Sequence, residues 1–276
     1  MCVIVYKPNG NKLPSKDTLK KCFEHNPDGA GYMLPVINEN GAPKVLIRKG
    51  LMTFEAFIKS LNSAFKKYTI DPINTPIVMH FRISTQGGVQ KGLCHPYPVC
   101  EDYEKMRSLA CLCNIGLCHN GIISRCSTSE FYGGSHYDYK TKKWIEPKKK
   151  QLDYNDTMTF IKDFASLIID NDQDFASNDN KVKLLERLCE YSKLAIMTAS
   201  GNVTLIGNFQ NKNGIYYSNL YHEVTYTNTG RFGGFKTAKE IIEDNYDDDI
   251  RPFSEREGYH VSGLTPEQLR LLDEDF

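Results

Sequence analysis

The stretch Cys2-Val3-Ile4-Val5-Tyr6 opens the chain with an apolar, largely β-branched run, the composition of a buried first strand. Within such a strand, Cys2 serves as a small hydrophobe. The same position admits a chemical reading. Removal of Met1 would leave a thiol and a free α-amine on one residue. A free cysteine titrates near ~8.5 and attacks only as the thiolate. An α-amine titrates near ~7.7–8.0, which suits a general base.

Working outward, strand signals recur at residues 31–37, 44–48, 77–82 and 110–117, each rich in apolar or β-branched residues and bounded by Gly, Pro or Asn. Two helices are expected among them. Ser15 can cap a helix carrying Leu19, Cys22 and Phe23, and Thr53 one carrying Phe54, Phe57, Ile58, Leu61 and Phe65 at helical spacing. Residues 157–169 and 182–189 repeat the helical period. Residues 195–198, 203–206 and 215–217 then read as consecutive antiparallel strands around the turn Ala199-Ser200-Gly201-Asn202. Strands, then helices, then strands, without regular βαβ spacing, predict an α+β domain with antiparallel sheets. Residues 140–150 and 169–181 read as exposed loops. Residues 2–225 form the expected main domain and 226–276 a polar, acid-rich extension, where Thr265-Pro266-Glu267-Gln268 matches a capping box before a short helix.

The 276 residues carry 34 Lys+Arg against 34 Asp+Glu, so no electrostatic footprint points to nucleic acid or an anionic membrane. No apolar run approaches the roughly 20 residues of a membrane helix. The first residues lack the sections of a signal peptide, which predicts a cytoplasmic protein whose nine cysteines stay reduced. Six of these fall between Cys94 and Cys126, but the closest pair, Cys111 and Cys113, has C-x-C spacing rather than the C-x₂₋₄-C of a zinc site. Thiols are therefore expected, and no metal. On a strand, Cys111 and Cys113 would share one face.

Several polar clusters follow in order. Met1-Cys2-Val3-Ile4 precedes Asn26-Pro27-Asp28-Gly29-Ala30-Gly31. Then come His80-Phe81-Arg82-Ile83-Ser84-Thr85-Gln86-Gly87, Cys94-His95-Pro96-Tyr97-Pro98, His119-Asn120-Gly121 and Asp156-Thr157. This ordered set resembles the motifs of the class II glutamine amidotransferases, members of the N-terminal-nucleophile hydrolase group. The resemblance covers roughly residues 2–220, and the chain is similar to stand-alone amidotransferase-like proteins of bacteria and their viruses. Two positions depart from the pattern. Gln86 stands where many members have histidine, and Ser84 replaces the usual alanine.

The resemblance implies a four-layer αββα sandwich and glutaminase chemistry without a cofactor. Cys2 would be the nucleophile and its α-amine the base, while Asn120 and Gly121 would form the oxyanion hole. Arg82, with Thr85 beside it, would hold the α-carboxylate of glutamine, and Asp156 its α-ammonium. Ammonia would pass to a separate acceptor protein. Asp28, Gly29, His80, Ser84, Gln86 and His119 are candidates for shaping the pocket.

Each residue also has a plainer reading. Asn-Gly is the commonest type I′ turn signal, Asp156 suits the first turn of a helix, and His80, His95 and His119 could suggest a metal triad. A guanidinium like that of Arg82 suits a carboxylate whatever the family. Two rival functions remain: hydrolysis of another γ-glutamyl amide, and a non-catalytic interaction protein that keeps the fold.

Overall fold

Ser15 and Thr53 each turn their hydroxyl oxygen to a backbone N–H two or three residues into a helix, satisfying donors that the first turn leaves without partners. In the computed structural model, which describes residues 2–84, 88–126, 136–138, 140–145 and 153–223, these caps start α1 (Lys16–His25) and α2 (Phe54–Lys67). They lie between β1 (Val3–Lys7), β2 (Ala30–Ile37), β3 (Pro43–Leu51) and β4 (Ile77–Phe81). Next come β5 (Tyr97–Pro98), α3 (Tyr103–Arg107), β6 (Ala110–Cys113) and β7 (Ile115–Asn120). A short hairpin of β8 (His136–Asp138) and β9 (Lys143–Ile145) follows. Helix α4 (Asp156–Phe160) continues through a π-helical turn, Ile161–Ala165, into α5 (Ser166–Ile169), and α6 spans Asp179–Leu188. Strands β10 (Lys193–Thr198), β11 (Val203–Ile206), β12 (Gln210–Lys212) and β13 (Ile215–Tyr217) complete the described chain.

The protein is therefore α+β, with two larger antiparallel sheets. One runs β12-β13-β1-β4-β2-β3-β6 and the other β11-β10-β7-β5. Apolar residues gather in three clusters. The first joins α1 and α2 to the seven-stranded sheet through Phe23, Phe54, Phe57, Tyr32 and Phe81, with Phe57 and Phe81 ring centroids 5.1 Å apart. Burying such a side chain contributes about 1.5–3 kcal/mol. The second joins α4–α6 to the four-stranded sheet through Phe160, Ile161, Leu185, Leu117, Leu194 and Ile196. The third draws on both sheets, with Ile4, Met33, Ile47 and Val78 from one and Cys118, Ala195 and Met197 from the other.

Several expectations are corrected. Residues 110–117 are not one strand: Asn114 separates β6, which pairs with β3, from β7, which pairs with β10. Residues 215–217 do not continue the β10–β11 hairpin. They form β13, which crosses to the other sheet and pairs with β1 at Val5↔Tyr217 and Tyr6↔Tyr216. The basic segment at 140–150 is not wholly loop, since Lys143–Ile145 pairs with β8. The polar segment 169–181 is not wholly exposed either, because a 3₁₀ turn, Phe175–Ser177, buries Phe175. Its apolar residue overrides the acidic surroundings once it reaches the second cluster. The extension at 226–276, with its expected helix, lies outside the described residues.

Candidate active site

Antiparallel pairing sets the first contact. β1 and β4 pair with Val3 opposite Phe81, so the next residues outward, Cys2 and Arg82, emerge at the same end of the sheet. The Cys2 sulfur lies 3.3 Å from the Ile83 carbonyl oxygen and 3.4 Å from the Ile83 amide nitrogen. Burial pushes this thiol up from its ordinary value. The Ile83 N–H, the chain's amino terminus and the Arg82 guanidinium act against that rise.

Asp28 and Gly29 fasten the segment after β4. The Asp28 carboxylate accepts the Ser84 N–H at 2.7 Å, while Asp28 N donates to Arg82 O and Arg82 N to Gly29 O. Gly29 has φ +113°, and a Cβ there would lie 2.6 Å from the Cys94 sulfur, so this turn admits no larger residue without displacement. Arg82 itself is buried and donates to Gly88 O at 2.9 Å and Ser84 Oγ at 3.1 Å. Those bonds orient its guanidinium. Thr85 and Gln86 lie outside the described residues.

The second sheet and its helices supply the opposite wall. Gly121 follows β7 at φ +146°, and a Cβ would meet Ser192 Oγ at 2.3 Å. Asn155 caps α4 and places Asp156 in its first turn, where the Asp156 carboxylate accepts Ile123 N at 3.0 Å and Thr157 N at 2.9 Å. Asp156 is only 6% exposed, and among the described residues it forms no salt bridge. A buried carboxylate without a cation is costly unless donors or a ligand compensate. Here the two N–H donors and the start of α4 compensate it.

Cys2, Arg82, Ile83, His95, His119, Gly121, Asn155, Asp156 and Thr157 line one cleft of ≈ 20 Å³. That volume holds about one water, so an amino acid can enter only if the walls part. A larger cavity of ≈ 550 Å³ between Tyr6, Pro35, Pro76 and the Ser200–Asn202 turn is lined by no charged residue and does not include Cys2. Chemistry therefore singles out the smaller space.

Asn120 is not part of the cleft wall. Its amide donates from Nδ2 to Ser218 Oγ at 2.9 Å, and its buried Oδ1 has no partner. Ser218 Oγ also accepts the Ile4 N–H at 2.8 Å, and Asn219 Nδ2 donates to Cys2 O at 2.7 Å. Ser218 and Asn219 thus brace Cys2 and the strand that follows it, a role the sequence reading missed. No local pattern marks them, because their partners Ile4 and Cys2 lie more than 200 residues away.

Three histidines are buried at the cleft, His95 and His119 in its lining and His80 beside them. His80 Nε2 lies 3.0 Å from the His119 carbonyl oxygen, which can only accept, so His80 carries its proton on Nε2. The Thr157 hydroxyl lies 2.7 Å from His119 Nδ1 and 3.1 Å from His95 Nε2. With a single proton, it donates to one ring and accepts from the other. Burial holds His80 down to about 3 and lowers His95 and His119 as well, so neutral imidazoles are favoured. The His80 and His95 ring centroids lie 4.3 Å apart, tilted by 31°. Among the described residues no cluster of His, Cys, Asp and Glu has the arrangement of a metal site, and no helix is long and apolar enough to cross a membrane.

No protein-family model matches this chain, and a search of curated proteins returns no match.

Proposed function

We propose that this protein is a glutaminase of the class II amidotransferase type, built on a four-layer αββα sandwich, with Cys2 as its nucleophile after loss of Met1. The observation that carries this reading is the meeting of Cys2, Arg82, Gly121 and Asp156 around one cleft, although the first and last are far apart in sequence. The apolar cluster drawn from both sheets, with helices on each sheet, supports the layered architecture.

The chemistry follows from the positions. The Cys2 thiol gives its proton to its own α-amine and the sulfur attacks the side-chain carboxamide carbon of glutamine. The Gly121 N–H stabilises the tetrahedral oxyanion. Collapse expels ammonia, protonated by the same amine, and leaves a γ-glutamyl thioester. Water then releases glutamate. Arg82 pairs with the α-carboxylate and Asp156 with the α-ammonium, so the two charges select a free amino acid. Ammonia is passed to a separate acceptor protein.

Incubation with the glutamine-analogue electrophile diazo-oxo-norleucine tests the reading. Mass spectrometry of the N-terminal peptide is expected to show Met1 absent and Cys2 alkylated, with ammonia released from free glutamine by the parent protein and not by Cys2→Ala. Release from γ-glutamyl peptides but not from glutamine would instead favour a related amide hydrolase. Retained Met1 with no turnover would favour an interaction protein that keeps the fold, a role the narrow cleft also fits.

A further inference from the structure

Cys111 and Cys113 sit two residues apart on β6, the edge strand of the seven-stranded sheet. Alternation along a strand turns both thiols to one face and Leu112 to the other. The burial agrees. Both cysteines are half-buried against the cluster between the sheets, whereas Leu112 is 43% exposed. The Cys113 thiol donates to the Val45 carbonyl oxygen at 3.7 Å.

Two residues of extended strand span about 6.4–6.8 Å between Cα atoms, near the upper end of the roughly 4.4–6.8 Å that a disulfide tolerates. Closing that bond would draw the strand slightly shorter. An edge strand can shorten, because only one of its sides is held in a ladder. Here the ladder to β3 ends at Cys113, opposite Val45. The chain then leaves the sheet at once through Asn114.

We infer that Cys111 and Cys113 are a redox-active dithiol, oxidised reversibly to an intramolecular disulfide by a peroxide. Cys111 is the attacking thiol, since the Cys113 proton is held by the Val45 carbonyl oxygen. Its sulfur displaces water from hydrogen peroxide as the O–O bond breaks, giving a sulfenic acid. The Cys113 sulfur then attacks that sulfur, the S–O bond breaks, and the hydroxyl leaves with the Cys113 proton as a second water. Two thiols lose two electrons, and one peroxide becomes two waters. Cys113 is suited to this later step, since it keeps its proton on the Val45 carbonyl oxygen until then.

The pair is placed where oxidation has a structural consequence. Asn114 alone separates β6 in one sheet from β7 in the other. Asn114 is itself held by Lys44 Nζ at 2.7 Å and Gln173 Nε2 at 3.4 Å. Shortening β6 therefore pulls on the single-residue crossing between the sheets. None of this depends on the glutaminase reading.

The test treats the folded protein with a small excess of hydrogen peroxide, alkylates remaining thiols and digests with trypsin, which releases residues 108–125. The expected product has lost about 2 Da, with fragmentation placing the bond between Cys111 and Cys113, Cys118 alkylated, and full recovery with dithiothreitol. Cys113→Ser is expected to stop at a sulfenic acid on Cys111, trapped by dimedone, and Cys100→Ser to give the parent product. Unchanged thiols, a bond to Cys100 or Cys118, or direct passage of Cys111 to sulfinic acid in the parent would each overturn the inference. The parent protein alone decides if a variant fails to fold.

Discussion

Ile83 grips the Cys2 thiol from two sides, its carbonyl oxygen 3.3 Å and its amide nitrogen 3.4 Å from the sulfur. Both bonds come from the backbone, so the thiol's position depends on the path of the chain after β4 rather than on another side chain. That path is set by Asp28, whose carboxylate takes the Ser84 N–H.

Asp28→Ala is therefore expected to loosen the segment carrying Arg82, Ile83 and Ser84 without touching Cys2. The lost charge-assisted hydrogen bond costs about 1.5–3 kcal/mol of local order. Steady-state kinetics should show the KM for glutamine raised at least several-fold, with alkylation of Cys2 slowed but not abolished. Unchanged kinetics would mean that the turn holds without its carboxylate.

Arg82→Lys keeps the charge but loses the planar fork that bonds Gly88 O and Ser84 Oγ together. Glutamine binding is expected to weaken by about 1.5–3 kcal/mol, roughly 10- to 100-fold in kcat/KM. Asp156→Asn should act on the same substrate through its other end. A glutamine amide without an α-ammonium should lose the preference for the parent over Asp156→Asn, and a preference that persists would remove Asp156 from substrate recognition.

Gly121→Ala places a Cβ 2.3 Å from Ser192 Oγ at φ +146°, combining a clash with a backbone conformation that alanine adopts poorly. A loss of about 1–3 kcal/mol in unfolding free energy is expected, together with reduced turnover. Adding Ser192→Gly removes the nearest two contacting atoms and should recover part of the stability. Full recovery would show that the steric term alone had mattered.

The buried histidines make stability depend on acid. Each of His80, His95 and His119 has a folded value below its ordinary one, so the unfolded chain binds more protons as pH falls. Stability is then complete above the ordinary histidine value near ~6.5 and is lost as pH falls from there towards the folded value. For His80 that lower limit is about 3. Three such groups set a slope of at most about 4 kcal/mol per pH unit. Denaturant melts at several pH values should show it, and His80→Gln, which keeps a donor for the His119 carbonyl, should lower the slope by about one proton's worth. A flat profile between pH 7 and 5 would mean that these rings are solvated.

Much of this was legible one segment at a time. Ser15 and Thr53 announce their helices because a cap needs only its own first turn. Cys2, Arg82, Gly121 and Asp156 were recognisable as an ordered set of motifs, and the cleft gathers all four. Asn120 was expected to face that cleft, but its side chain is turned instead to Ser218. The Asn114 break was hidden because apolar residues on either side make 110–117 look continuous. Only their partners, β3 for one half and β10 for the other, divide them.

The sequence by itself determined the local elements and the chemical types available: a thiol near the start, a guanidinium after a strand, a carboxylate opening a helix. These depend on side-chain period, capping and charge over a few residues. Tertiary structure alone decided that β13, paired with β12, joins β1 rather than β11, bringing Ser218 and Asn219 to Cys2 and the strand that follows it. It also decided which carboxylate is buried without a cation. Strand pairing across some 200 residues depends on closing a long loop against the burial of both sheets, and no short stretch of the chain records that balance.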